Sequence, residues 1–282
     1  MKKIYLFPIL AILFFTSCEK VIDIDVPSIE PKLIIDASFE VLFDENPVVT
    51  NTIVKLSLSA DYFEETIPTV SNATVFLTNL SNDKTINFSE SSILGNYKPS
   101  FDPNLTSEFL PEDNIEYELT VIYNNETYKG KATKVKGTKI NSIIQGDDTL
   151  FSGDEIELEV IFTDDGSLEN YYLFDFNNQQ FVSIEDRYFN GSVYPFSFYL
   201  DREEVTLPST RTVRLYGITK EYFTYFRILQ NQSGQNSGGP FQAVPSSLLG
   251  NMINTTNEDN FPLGYFHISE TDTLTIELVE KN

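Results

Sequence analysis

From Lys32 onward, short stretches in which apolar and polar residues alternate return every ten to fifteen residues. A period of two sends successive side chains to opposite faces of an extended strand, so each stretch buries one face and wets the other. The first is Lys32-Leu33-Ile34-Ile35-Asp36-Ala37-Ser38-Phe39. Thr52–Ser59, Ala73–Thr78, Lys84–Phe88, Gly95–Pro99, Glu116–Tyr123 and Tyr128–Thr133 follow. Asn124-Asn125-Glu126 joins the last two, and a short polar link containing Asn is a hairpin signal. Seven short strands over roughly 110 residues predict a β-sandwich of immunoglobulin-like or transthyretin-like type over 32–137. The cysteine pair and tryptophan of true immunoglobulin domains are missing, since the chain has one Cys and no Trp.

At Lys136-Gly137-Thr138-Lys139 the alternation breaks among clustered basic residues, which marks a boundary. A second β-rich domain is expected over 138–282. Its strands are Glu155–Phe162, Tyr171–Phe176, Phe181–Ile184, Val193–Leu200 and Thr212–Gly217, with a final pair at Gly264–Ser269 and Asp272–Val279. One segment has a different period. Tyr222, Tyr225, Phe226 and Leu229 fall at i, i+3, i+4 and i+7, one face of an amphipathic helix over 219–231. Thr219 is placed to cap it and Glu221 lies in its first turn, where negative charge is favoured. The aromatic face is expected to pack on the second sheet. Ser233 to Pro240 then reads as a flexible loop.

The N-terminus carries different information. Lys2 and Lys3 precede an apolar run, Ile4 to Phe15, broken only by Pro8; Thr16-Ser17-Cys18 closes it. Basic start, apolar middle and small residues at the end make residues 1–17 a secretory signal. The run is shorter than the about 20 residues a membrane span needs. Cys18 resembles the invariant cysteine of a bacterial lipobox, with Phe15 in the place usually held by Leu. The resemblance implies a diacylglyceryl thioether, acyl chains such as palmitate, and membrane attachment through Cys18. The other reading is an ordinary signal with an incidental cysteine. Residues 18–31 then form a tether.

Processing at Cys18 removes Lys2 and Lys3 and no acid, so the net charge moves from −23 to about −25. Such a surface repels phosphates and excludes nucleic acid as a partner. With Cys18 acylated, no thiol is left for disulfides, zinc or nucleophilic catalysis. The core must hold the fold, and 41% hydrophobic residues with 23 Phe and 15 Tyr supply the material. His267 is the one histidine. A Ser-His-Asp triad would need it, and paired-histidine metal motifs are impossible. Its place in an alternating stretch, Gly264 to Ser269, makes it a structural residue. A glycosidase carboxylate pair has no accompanying Trp, and no Gly-rich phosphate loop is present. The chain is therefore expected to be no enzyme and to need no cofactor.

Four acids, Asp147, Asp148, Asp154 and Glu155, lie around Gly146 and Gly153 and form the weak candidates for Ca²⁺; Asp164, Asp165 and Glu169 are a second group. Neither has the EF-hand order, and solvated turns are the expected reading. Asp148-Thr149-Leu150 and Asp272-Thr273-Leu274 resemble the D-S/T-aliphatic acceptor of O-glycosylation in exported Bacteroidota proteins, with Thr149 and Thr273 as acceptors.

An ordered series of segments runs through the mature chain: Cys18-Glu19-Lys20-Val21-Ile22-Asp23-Ile24-Asp25-Val26-Pro27, Pro31-Lys32-Leu33-Ile34-Ile35-Asp36-Ala37, Val54–Ser59, Ser71–Val75, Tyr171–Phe174, Glu221–Tyr225, Gly239-Pro240-Phe241, Gly250–Asn254 and Leu263–Phe266. This series resembles the Bacteroidota outer-membrane lipoprotein family known as domain of unknown function 4249. The resemblance implies a lipid-anchored outer-membrane protein, commonly encoded beside a TonB-dependent receptor, with no established catalytic activity and no catalytic residues to carry over. Few acids follow Cys18, which leaves the periplasmic and cell-surface faces both open. The expected function is an accessory or binding subunit of such a receptor in nutrient uptake, with Ser233–Pro240 and Phe241–Asn254 as contact region. The alternative is a stand-alone glycan- or peptide-binding lipoprotein, using tyrosines such as Tyr171, Tyr188, Tyr194 and Tyr199.

Overall fold

A computed structural model describes residues 30–43, 50–60, 64, 66–100, 110–150, 153–177, 180–233 and 248–281. The fold is mainly β. Its strands are β1 (Leu33–Leu42), β2 (Thr50–Leu58), β3 (Thr74–Asn79), β4 (Thr85–Glu90), β5 (Asn96–Pro99), β6 (Glu116–Tyr123), β7 (Glu126–Val135) and β8 (Ile140–Gln145). They continue as β9 (Ile156–Thr163), β10 (Tyr171–Asp175), β11 (Phe181–Glu185), β12 (Val193–Leu200) and β13 (Ser209–Ile218). Helix α1 (Lys220–Gln232) precedes β14 (Met252–Asn254) and β15 (Leu263–Leu278).

Alternation on β1 sends Leu33, Ile35, Ala37 and Phe39 into a first core, where they meet Val54 and Leu56 of β2, Val75 and Leu77 of β3, and Leu119 and Val121 of β6. Fully burying side chains of this size stabilises by about 1.5–3 kcal/mol each. The strands run in the order β15-β1-β2-β5-β4-β3-β6-β7, and β15 also touches β7 at Ile268↔Lys134 and Ser269↔Val135. The sheet thus closes around its own core, sandwich-like without two separate sheets. Asn124 and Asn125 both take left-handed backbone, φ 50° and 63°, and link Tyr123 to its partner Glu126 in a two-residue hairpin.

The second unit packs the three-stranded sheet β12-β9-β8 against β11-β10-β13 and the end of β15. Phe162, Tyr172, Phe174, Val213, Leu215 and Leu278 fill the space between. On the other side of the same strands, Tyr171, Leu173, Tyr216 and Ile218 meet Tyr222 and Phe223 of α1. Because both its faces are covered, β10 is buried at every position, which accounts for the unalternating Tyr-Tyr-Leu-Phe. The helix begins at the expected cap, with the Tyr222 amide donating to Thr219 Oγ1 at 3.0 Å. Its buried face includes Phe223, whereas Leu229 is 39% exposed.

The C-terminal stretch departs from the expected division. The alternation predicts two strands, Gly264–Ser269 and Asp272–Val279, both in the second domain. They are one strand of 16 residues. The first half of β15 pairs parallel with β1, from Ile34↔Leu263 to Leu42↔Thr271. Its second half pairs antiparallel with β13, from Tyr216↔Thr271 to Ser209↔Leu278. β14 likewise adds to β7 of the first unit. The linker at residues 136–139 is held to this strand. Glu270 pairs with Lys134 at 3.0 Å and accepts the Gly137 amide at 3.2 Å, and Asp272 accepts the Ile140 amide at 2.7 Å.

The parallel contact between β15 and β1 leaves no room for a side chain at Gly264. Its φ is +98°, and an added Cβ would lie 2.1 Å from the Ile35 carbonyl oxygen. Gly264→Ala is therefore expected to lower unfolding stability by about 2 kcal/mol or more. Chemical denaturation measures this, and an unchanged midpoint would contradict so tight a strand contact.

Candidate functional site

Strands β10, β13, β15, β1 and β2 are neighbours in one sheet, and α1 rises beside their outer face. Between sheet and helix lies a cavity of about 910 Å³. Pockets of this size, with apolar walls and a few convergent polar groups, are the usual form of small-molecule sites. The alternation that buries Leu33, Ile35, Ala37 and Phe39 leaves Ile34, Asp36, Ser38 and Glu40 on the cavity side of β1. Asn51, Ile53 and Lys55 extend this floor on β2, and Arg214, Asp175 and His267 on β13, β10 and β15. The opposite wall is aromatic and apolar, with Tyr222, Tyr225, Phe226 and Leu229 of α1 beside Tyr265.

Cross-strand register determines which polar groups meet. Asp36 lies opposite Lys55, and their side chains pair at 3.6 Å. Asp175 lies opposite Arg214, and they pair at 3.0 Å with Asp175 largely enclosed. Glu40 lies opposite Asn51, a neutral amide, which donates to Glu40 Oε2 at 3.1 Å. The Tyr216 hydroxyl is 3.5 Å from Oε1, at the outer limit of a hydrogen bond. Glu40 is only 7% exposed, and among the described residues no Lys or Arg forms an ion pair with it. Burial raises its pKa above the ordinary carboxylate value, against the opposing effect of the Asn51 bond. Arg214 favours the ionised form of Glu40 through space while it pairs with Asp175, so two carboxyl groups share one guanidinium at this end of the cavity.

His267 stands on the floor, stacked on Tyr222 with ring centres 4.5 Å apart. Its Nδ1 is 3.1 Å from Ser269 Oγ. It lines the cavity and is half-buried overall. Burial holds its pKa down at about 4. The imidazole is thus neutral at physiological pH, a stacking and hydrogen-bonding wall residue.

The acids proposed for Ca²⁺ are engaged separately. Asp147 pairs with Lys281 at 2.5 Å. Glu155 accepts the amides of Leu150 and Gly153 at 3.1 and 3.2 Å. Asp148 and Asp154 are exposed, and the Asp148 amide donates to Glu157 at 3.0 Å. In the second group, buried Asp164 accepts from the Tyr172 hydroxyl at 2.5 Å and the Gly191 amide at 2.7 Å, and Glu169 accepts from the Tyr171 hydroxyl at 2.6 Å. Among the described residues no three His, Cys, Asp or Glu side chains are grouped to hold a metal.

Thr149 is exposed on the loop between β8 and β9; Thr273 is exposed within β15, opposite Arg214. Cys18 and residues 234–247 of the expected contact region lie outside the described residues. Of the tyrosines expected to meet a ligand, Tyr188 is 86% exposed, Tyr171 is buried and Tyr194 stacks on Phe189 at 4.0 Å. None of them lines the cavity. In the sequence the cavity residues of β1 and β2 are indistinguishable from the wet face of a half-buried strand. The one available signal was the apolar helix face, of which Tyr222, Tyr225, Phe226 and Leu229 all line the cavity.

The depressed pKa of His267 gives a testable pH dependence. Folding excludes a proton that the unfolded chain accepts below its ordinary value near 6.5. Stability should therefore fall as pH drops from about 6.5 to about 4, by roughly 3 kcal/mol from this residue, and level off below. His267→Phe keeps a ring on Tyr222 and removes the titration. The difference in unfolding free energy between variant and wild type should shift in favour of the variant by that amount over this range. Parallel pH profiles would show that the imidazole is not enclosed.

The sequence matches the model of the family described as a domain of unknown function (DUF4249) over residues 19–275. No curated protein matches it. Among solved structures, the chicken interferon gamma receptor alpha chain is 15% identical, with 68% of this chain and 90% of that chain covered, at a TM-score of 0.19. A DUF4785 family protein from Legionella pneumophila is 12% identical, with 66% of this chain and 52% of that chain covered, at a TM-score of 0.20. Scores this low carry no argument about fold or function. The family match spans nearly the whole chain downstream of Cys18, and the protein belongs to the DUF4249 family.

Proposed function

We propose that this protein is a non-catalytic outer-membrane lipoprotein of the Bacteroidota, anchored by a lipid on Cys18, that acts as a binding subunit beside a TonB-dependent receptor in nutrient uptake. The observation that carries the binding role is the cavity between α1 and the shared sheet, with its aromatic wall and buried polar end. Its chemistry suits holding a molecule rather than transforming it. Asp36 and Asp175 are each neutralised by a base, and the His267 imidazole is stacked, hydrogen-bonded and held neutral. The anchoring role is supported by the signal ending in Thr16-Ser17-Cys18 and by the stretch from Cys18 to Pro31, long enough to hold the body away from a bilayer. Among the described residues no helix is long and apolar enough to cross a membrane.

Affinity purification of the tagged native protein from detergent-solubilised outer membranes tests this reading. A TonB-dependent receptor is expected with the lipidated protein and should be depleted at least tenfold with Cys18→Ala. Repeated recovery of the lipidated protein alone would contradict the receptor association and favour the stand-alone binding of glycans or peptides.

A further inference from the structure

The charge arrangement of the cavity points to the class of molecule it holds, an inference that rests on the binding role proposed above. Each of the other two acids on its floor has a basic partner, Lys55 for Asp36 and Arg214 for Asp175. The hydrogen-bond partners of Glu40 are neutral, Arg214 acts on it only through space while pairing with Asp175, and one of its oxygens has only the long contact to the Tyr216 hydroxyl. An enclosed carboxylate is costly unless it is paired and fully hydrogen-bonded. This one faces a cavity large enough to deliver the missing partner. An anionic ligand would meet uncompensated negative charge there. A neutral one would leave the carboxylate's charge unanswered.

The far wall selects for the rest of the molecule. Tyr222, Tyr225 and Tyr265 pack with ring centres 4.7 to 6.2 Å apart, and Phe226 and Leu229 extend the surface. Such a wall takes an apolar or aromatic body, and tyrosine faces also attract a cation passing over them. Neutral His267 sets no positive charge against it. The geometry points to an amphipathic organic amine as the ligand, with its ammonium at Glu40 and its apolar body along the tyrosine wall of α1. The chain's net charge of −23 also favours the approach of such a molecule over an anion.

Three fluorescent probes that share a dansyl group and a five-carbon chain test the assignment on the full mature protein. Dansylcadaverine ends its five-carbon chain in an ammonium, N-pentyl dansylamide in a methyl group, and dansyl-6-aminohexanoic acid in a carboxylate. Ser38→Trp, which fills the floor between Asp36 and Glu40, supplies the background for dye taken up by detergent. Dansylcadaverine is expected to bind saturably, at least tenfold more tightly than either of the other two. Glu40→Gln keeps the shape and the Asn51 contact, and should weaken dansylcadaverine about tenfold while leaving the pentyl dye unchanged. The three-dye comparison on the wild type stands independently of that variant's folding. Equal binding of the three dyes, or binding of dansylcadaverine indifferent to Glu40→Gln, would overturn the amine assignment and leave the cavity a binding site. No binding above the Ser38→Trp background would overturn both the assignment and the cavity's binding role.

Discussion

The pairing of β15 with two different partners is the constraint on which the rest of the fold depends. Its first half supplies Phe266 and Ile268 to the first core; its second half supplies Leu278 to the second. Between them Ser269 and Thr271 are fully enclosed, and Glu270 and Asp272 hold the linker that leads from one unit into the other. A continuous strand has no hinge, because its ladder fixes both neighbours along one axis. The outer face of β1 and the outer faces of β10 and β13 therefore keep a set relation. The cavity exists because those faces meet across β15 and α1 stands over the junction.

Within that frame the chemistry of the cavity follows from register. Residues facing each other across antiparallel strands are brought together without long-range adjustment, which is how Asp36 finds Lys55 and Asp175 finds Arg214. The same rule gives Glu40 an amide instead of a base. A slip of one residue between β1 and β2 would turn the whole polar set into the first core, so the buried alternation of β1 guards the site as well as the fold. The aromatic wall has a comparable double role. Tyr222 packs in the cluster that includes Tyr171, Leu173, Tyr216 and Ile218 and stacks on His267, and it also faces the cavity.

Much of this was legible in the sequence where one face of an element is buried and the other is not. The alternation of β1, β2 and β6 located those strands, Asn124-Asn125 located a hairpin, and Thr219 with the spacing of Tyr222 to Leu229 located α1. The short strands β8 and β14 were missed, since Ile140–Gln145 carries little alternation and Met252–Asn254 is only three residues long. The unity of β15 was also hidden. Ser269-Glu270-Thr271-Asp272 reads as a polar break between two strands, yet two of these residues are buried and two anchor the linker. The site itself depends on strands far apart in sequence, β1 and β13, being joined by β15. Nothing local to Glu40 distinguishes it from a solvated strand acid.

Native-state hydrogen exchange on the amides of β15 tests the central claim most directly. If one strand holds both units, amides at Ile268 and at Ile276 should exchange only through the same global opening, with equal free energies and the same denaturant dependence. An exchange free energy several kcal/mol lower for the second half of β15 and for β9, β10 and β13, with the first half still protected, would contradict it. The two units would then open separately, and the cavity between them would not be a fixed feature of the fold.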